Sequence, residues 1–261
     1  MPTRFTWLRA AGAATLLAAG LALGGCGDAF PDYHYKMTIY AGGKAFSSVR
    51  GIEQERVSSL ADSSGEAVKR RLSGEAVIID ANGRTYYALL TRPDNADYAL
   101  LTVTAAALGP HISGAPPKTG AEAAVDDYRE DQRRARDPGY YLDDAAGESR
   151  AMTRIVGPKP LPRTLPARQG RPPLDAWPMF VTFGDPADPK TVREVSPESI
   201  GVSNITVEMT DDDVTTGIEE RLPWVLTHIG ALVRTKPQES KWDKPPAHRL
   251  NRAAFTMESA E

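Results

Sequence analysis

Ala76-Val77-Ile78-Ile79-Asp80-Ala81-Asn82-Gly83-Arg84-Thr85-Tyr86-Tyr87-Ala88-Leu89-Leu90 sets two apolar arms on either side of an Asn-Gly pair. Asn-Gly accepts the positive φ angles of a two-residue hairpin turn, which other pairs resist. Both arms are apolar at odd and even positions alike, so neither face of this hairpin reads as solvated. The stretch therefore predicts a hairpin at the centre of an antiparallel sheet, and the rest of the fold is read outward from it.

Upstream, residues 33–40 alternate, with Tyr35, Met37 and Ile39 on one face and His34, Lys36 and Thr38 on the other. That period of two predicts a half-buried strand. Ala41-Gly42-Gly43 supplies a turn, and residues 46–57 continue as a second, more polar strand in which Gly51 marks a bulge. Asp62-Ser63-Ser64-Gly65 is a turn cluster. Ser-Gly-Glu-Ala-Val occurs at 64–68 and again at 73–77, with no third copy, and reads as coincidence rather than a repeat architecture.

Downstream, Asp94 or Asn95 can cap a helix over residues 96–108, although Thr102, Val103 and Thr104 keep a strand open. Residues 111–120 read as a loop, and residues 121–136 as a surface helix with a narrow apolar stripe of Ala121, Ala124, Val125 and Tyr128. Residues 157–178 hold seven prolines and cannot form regular helix or inner strand. They are either a linker or an extended segment wrapped over one domain; the second fits better, because neither flank looks complete alone. Residues 179–183 and 202–210 read as strands, the second alternating Ile205, Val207 and Met209 with Asn204, Thr206 and Glu208. Thr215 or Thr216 can cap a short helical turn ending at Leu222, Pro223-Trp224 reads as a buried corner, and residues 225–233 as a last strand or helix. From Lys236 onward Pro, Glu, Lys and Ser dominate, which predicts a mobile tail over 236–261.

The expected fold is therefore α+β: a single domain over residues 34–235 on a mainly antiparallel sheet, with two or three peripheral helices and long Pro-rich loops. Pro and Gly, at 21 and 22 residues, fit a loop-rich β-containing fold better than a helical bundle.

The amino terminus carries the address. Residues 1–9 hold Arg4 and Arg9 and no acid, and residues 10–23 are uncharged and rich in Ala and Leu. At about 14 residues this run suits a secretory signal and is short for a membrane-spanning helix of about 20. It closes on Leu23-Gly24-Gly25-Cys26, which contains the only cysteine in the chain. This motif resembles the lipobox of bacterial lipoproteins. The resemblance implies loss of residues 1–25, lipidation of Cys26 and a membrane anchor of several acyl chains, which hold a bilayer far more stably than one. Gly27 follows, where the sorting pattern of such lipoproteins places Asp to retain a protein in the inner membrane; its absence implies an outer-membrane, periplasm-facing location. Residues 26–33 then form a short tether, reaching about 25 Å when extended.

The chain has 31 Lys+Arg against 34 Asp+Glu; without the two leader arginines the mature part carries a net charge of about −5. That argues against a nucleic-acid partner, which needs a concentrated basic surface.

Candidate chemistry is sparse. Gly184-Asp185-Pro186-Ala187-Asp188-Pro189 places Asp185 and Asp188 three apart in a loop, where they could meet a cation or a sugar hydroxyl, or simply form two turns. Asp211-Asp212-Asp213, and Asp94 with Asp97, read as solvated loop ends. His34, His111, His228 and His248 are scattered and match no metal-binding spacing, so no metal and no cofactor is expected. There is no Gly-x-Ser-x-Gly and no Gly-rich phosphate loop, so no catalytic residue is assigned. Tyr86, Tyr87, Tyr140, Tyr141, Trp177 and Trp224 could line a carbohydrate groove or fill the core.

Two blocks carry a further resemblance. Gly74-Glu75-Ala76-Val77-Ile78-Ile79-Asp80 with Tyr87-Ala88-Leu89-Leu90, and Phe180-Val181-Thr182-Phe183-Gly184-Asp185-Pro186-Ala187-Asp188-Pro189 with Thr191-Val192, resemble a family of small, uncharacterised proteobacterial envelope proteins. That resemblance implies an envelope location and carries no catalytic role. The reading that follows is a membrane-anchored lipoprotein that binds an envelope partner or contributes structure without catalysis. The competing reading is a periplasmic hydrolase whose site is assembled only in the fold.

Overall fold

The computed structural model describes residues 32–58, 66–108, 149, 152–165, 173–234, 240 and 244–258. Cys26, the turn expected at 62–65, the loop and helix expected over 111–136, His111, Tyr140 and Tyr141 lie outside them.

Twelve strands are described: β1 Tyr33–Ala41, β2 Lys44–Ser58, β3 Glu66–Glu75, β4 Val77–Ala81, β5 Arg84–Ala88, β6 Lys159–Pro160, β7 Thr164–Leu165, β8 Leu174–Asp175, β9 Phe180–Phe183, β10 Val192–Val195, β11 Val202–Thr210 and β12 Thr256–Met257. Every described pairing is antiparallel. The strands form two main sheets where one was expected, in the orders β12-β3-β2-β1-β11-β6 and β10-β9-β5-β4, with β7-β8 as a separate ribbon. The fold is predominantly β.

The first sheet grows from a meander. Gly42 and Gly43, at φ +55° and +76°, make the tight turn between β1 and β2, and the register runs unbroken from Tyr33 opposite Ile52 to Ala41 opposite Lys44. Gly51 is therefore not a bulge: it pairs in register with His34 and with Ser73. Its small size serves a close approach instead, since a Cβ there would lie 2.6 Å from Ser73 Oγ and 3.1 Å from Val214 Cγ2. The expected alternation of β1 holds, with Tyr35, Met37 and Ile39 all fully buried.

The chain leaves this sheet at Ala76, between β3 and β4, and enters the second. The hairpin of β4 and β5 turns at Asn82 and Gly83, φ +53° and +71°. It is not central in the way expected: β5 is flanked on both sides, whereas β4 is an edge strand. Its double apolarity comes from layers above and below it. Val77, Ile79, Tyr86, Ala88 and Phe180 face the core shared with β1 and β11. Ile78, Tyr87, Val181 and Val192 face a second core built with Ile218, Leu222, Trp224, Val225 and Phe255. The four-stranded sheet is thus the middle of three layers.

That third layer corrects the expected tail. Residues 246–257 carry two short 3-10 helices and β12, and Ala247, Leu250, Ala254 and Phe255 are buried. Leu90 N–H donates to the Ala254 carbonyl and Ala76 N–H to that of Phe255, each at 2.8 Å. Residues 225–233 form turns rather than the expected strand or helix. Ile218–Glu220 is a 3-10 turn capped at Gly217, not at Thr215 or Thr216. Its N–H groups are satisfied from afar: the buried Glu75 carboxylate accepts Gly217 N–H at 2.9 Å and Ile218 N–H at 3.0 and 3.1 Å. Burial pushes the Glu75 carboxyl above its ordinary range, against the pull of those two donors.

The segment expected to be a helix or strand over 96–108 is helical, a π-turn at Tyr98–Thr102 running into an α-helix at Val103–Leu108. Thr104 fits by donating its hydroxyl to the Leu100 and Leu101 carbonyls. The cap is Asp97, without a side-chain bond; Asn95 instead donates to the Thr102 hydroxyl. The described parts of the Pro-rich segment, 157–165 and 173–178, form short strands joined by irregular backbone. Its β6 pairs at the edge of the first sheet, where missing N–H groups are tolerated, and Leu161, Leu165 and Ala176 enter the first core.

Candidate functional site

The described surface has a concavity of ligand size whose walls carry an indole and two arginines. It runs between the Pro-rich segment and the β9–β10 edge of the second sheet, with a volume of about 500 Å³, and Arg92, Arg163, Asp175, Trp177 and Glu194 give it its chemistry. That volume is within the usual range for small-molecule clefts.

Each wall has a local cause. Trp177 follows the ribbon of β7 and β8 and precedes Pro178, and the chain bends there as it enters the groove. Its indole Nε1 donates to the Leu161 carbonyl at 3.2 Å. The Arg163 guanidinium stacks 4.8 Å from the ring centroid, and its Nη1 lies 2.8 Å from Glu198. Arg92 is held by Asp94 at 3.4 Å and Asp175 at 3.2 Å, and also donates to the Trp177 carbonyl at 3.4 Å. Such exposed pairs contribute little stability, about 0.2–1 kcal/mol each; here they fix the arginines around the indole. The Glu198 carboxyl is held below its ordinary range by its own backbone N–H and by Arg163. Both arginines have carboxylate partners, so the groove is close to charge-balanced. It can stack on an apolar ligand face and hydrogen-bond around it, and it has no excess charge with which to capture an ion.

A second cavity, about 340 Å³, sits at the hairpin end of the middle sheet beside Arg84, Arg193, Phe183 and Pro186. The loop of Asp185 and Asp188 adjoins it. Those two carboxylates are engaged locally: Asp185 Oδ1 accepts Ala187 N–H at 2.9 Å, and Asp188 Oδ1 accepts Lys190 N–H at 3.0 Å. Asp188 caps the 3-10 turn Pro189–Thr191. The Thr191 hydroxyl ties the loop together through the Asp185 and Asp188 carbonyls, and Trp224 Nε1 anchors it through the Pro186 carbonyl at 3.0 Å. This is the double turn that the Asp-Pro spacing allows.

The other candidates are dispersed. Tyr86, Tyr87 and Trp224 are core residues, and burial pushes the Tyr87 phenol up to about 12. Of the sequence-predicted aromatics among the described residues, Trp177 alone lines the larger groove. His34 Nδ1 lies 2.9 Å from the Asp212 carbonyl oxygen and His228 Nε2 lies 3.1 Å from that of Ala231. Neither they nor His248 line the two cavities. Asp211, Asp212 and Asp213 are exposed. Among the described residues no group of three His, Cys, Asp or Glu side chains could hold a metal ion, and no helix is long and apolar enough to cross a membrane. Arg92 and Arg163 escaped the sequence reading, because Arg92 opens a tight turn and Arg163 lies in the proline-rich stretch, and neither place has a period to mark a side chain's orientation.

No protein-family model, curated protein or solved structure matches the chain.

Proposed function

We propose that this chain is a lipid-anchored outer-membrane lipoprotein, facing the periplasm, that binds an uncharged, hydroxyl-rich envelope component in the Trp177 groove without transforming it. The observation that carries the binding half is the stacked Arg163–Trp177 pair in a charge-balanced cleft. Half-exposed indoles set among paired charges favour the apolar faces and hydroxyl rims of sugars over free ions. The anchor half rests on Leu23-Gly24-Gly25-Cys26. The finer description of the fold, one α+β domain, belongs to the same proposal; its support is that Leu161 and Leu165 of the Pro-rich segment share a core with β1 and β11.

Two measurements test the halves separately. Mass spectrometry of the membrane-extracted chain should show an acylated amino terminus at Cys26. Cys26→Ser should move the protein out of the membrane fraction, and an unchanged fractionation and mass would overturn the anchor. Cosedimentation with purified cell-wall sacculi should retain the chain, and Trp177→Ala should cut retention at least tenfold in protein that near-UV circular dichroism shows to be still folded. Equal retention by both would overturn the groove.

A further inference from the structure

The first core contains a guanidinium with no hydrogen-bond partner among the described residues. Arg50 lies mid-strand in β2, opposite Tyr35 on one side and Gly74 on the other, and is fully buried. Its Nε, Nη1 and Nη2 are all out of solvent and have no hydrogen-bond partner among the described residues. A guanidinium cannot shed its proton to escape burial, and a buried charge persists only where something compensates it.

The neighbours do not compensate it. The Tyr35 ring lies 5.9 Å from Arg50 Cζ. Stacking of that kind covers the face of the guanidinium and leaves its edge, where the N–H groups point, for an acceptor. The Tyr35 hydroxyl donates to the Ala99 carbonyl and the Tyr98 hydroxyl to that of Ala176, both at 2.8 Å, so both O–H groups are spent on backbone acceptors. Glu75 is the one carboxylate among the described buried residues, and its oxygens hold Gly217 and Ile218. Gly74 lets the arginine lie flat, since a Cβ there would come 3.3 Å from Arg50 Cγ and 2.9 Å from the Val49 carbonyl oxygen.

We propose that Arg50 anchors an internal anion site between the two sheets, taking one small monovalent anion of the halide class at the edge of its guanidinium. A single small anion is the least that would supply both the missing acceptor and the missing charge, since the guanidinium is out of solvent and neither cavity described above reaches it.

The test is thermal unfolding of the purified full chain at constant ionic strength, with sodium chloride exchanged stepwise for sodium gluconate, whose anion is too bulky to enter. Above the dissociation constant, each tenfold rise in chloride should favour the folded state about tenfold. Arg50→Met, similar in length and uncharged, should be flat across the same series. A flat response of the unaltered chain would overturn the site, since water alone would then satisfy the arginine; so would an equal slope in both proteins. If Arg50→Met does not fold, bromide anomalous scattering from crystals of the unaltered chain decides. A bromide within hydrogen-bond distance of the guanidinium supports the site, and bromide on the surface only, an adventitious ion only, overturns it.

Discussion

Replacing Phe255 by alanine asks whether the carboxy-terminal segment is part of the core or merely rests on it. Phe255 is fully buried. Its ring meets Tyr87 at 6.1 Å, Phe183 at 5.7 Å and Trp224 at 5.4 Å between centroids. Truncating a buried phenylalanine costs about 3–5 kcal/mol, and aromatic contacts worth about 0.5–1.5 kcal/mol each beyond burial place this site toward the upper end. Against a typical total of about 5–15 kcal/mol, the loss is a third or more. With a urea dependence of about 1–3 kcal/mol per molar, the unfolding midpoint should fall by about 1–5 M. Urea titration followed by near-UV circular dichroism reads this, since the signal of the Tyr87–Phe183–Trp224 cluster disappears with its packing. Ile229→Ala is the control: Ile229 is 86% exposed, and its removal should change stability by no more than about 0.5 kcal/mol. A midpoint for Phe255→Ala as close to the parent as that of the control would refute the three-layer account.

Gly74→Ala should destabilise by about 1–3 kcal/mol, because Gly74 sits at φ +121° and the new Cβ would press on the Val49 carbonyl 2.9 Å away; chemical denaturation measures it, and a neutral result would contradict the local geometry. The raised folded-state pKa of Glu75 means that the folded protein binds this proton more readily than the unfolded one. Glu75 should therefore make stability fall as pH rises from its unfolded value, about 4.5, through its folded value, and the term should then level off. Thermal midpoints of the parent and Glu75→Gln across that window isolate the effect, and a relative gain for the parent with rising pH would show the sign to be wrong. Asp188→Ala should cost about 1 kcal/mol through loss of the cap on Lys190 N–H. Added calcium should leave the parent's midpoint where it was; a calcium-dependent rise abolished by Asp188→Ala would restore the cation reading of that loop.

The local pieces of this fold are legible in the sequence, and their assembly is not. Asn82-Gly83 announces its hairpin because few pairs accept two positive φ angles, and β1 and β11 announce themselves by alternation. What periodicity cannot convey is which strand lies beside which. Doubly apolar arms imply two covered faces, and those faces are covered here by layers and not by flanking strands, so β4 could be an edge. The carboxy-terminal segment misleads for a compositional reason. Its prolines, lysines and glutamates outnumber Leu250, Ala254 and Phe255, and average polarity hides three well-placed anchors. Arg50 misleads in the same way, since a charged residue in a polar strand reads as solvated until Tyr35 and Gly74 are seen beside it. Trp177 could be named as a groove residue beforehand, but not told apart from Trp224, because the sequence does not say which indole the prolines carry to the surface.

The pairing of β1 with β11 sets a schedule for synthesis. His34 and Asp212 touch although they are 178 residues apart. At about 5–20 residues per second, a ribosome needs about 10–35 s to deliver the second partner after the first. During that interval the first sheet lacks its β11 neighbour, and β1 has only β2 to pair with. Late closure of this kind leaves an unpaired strand edge on β1 exposed until β11 arrives.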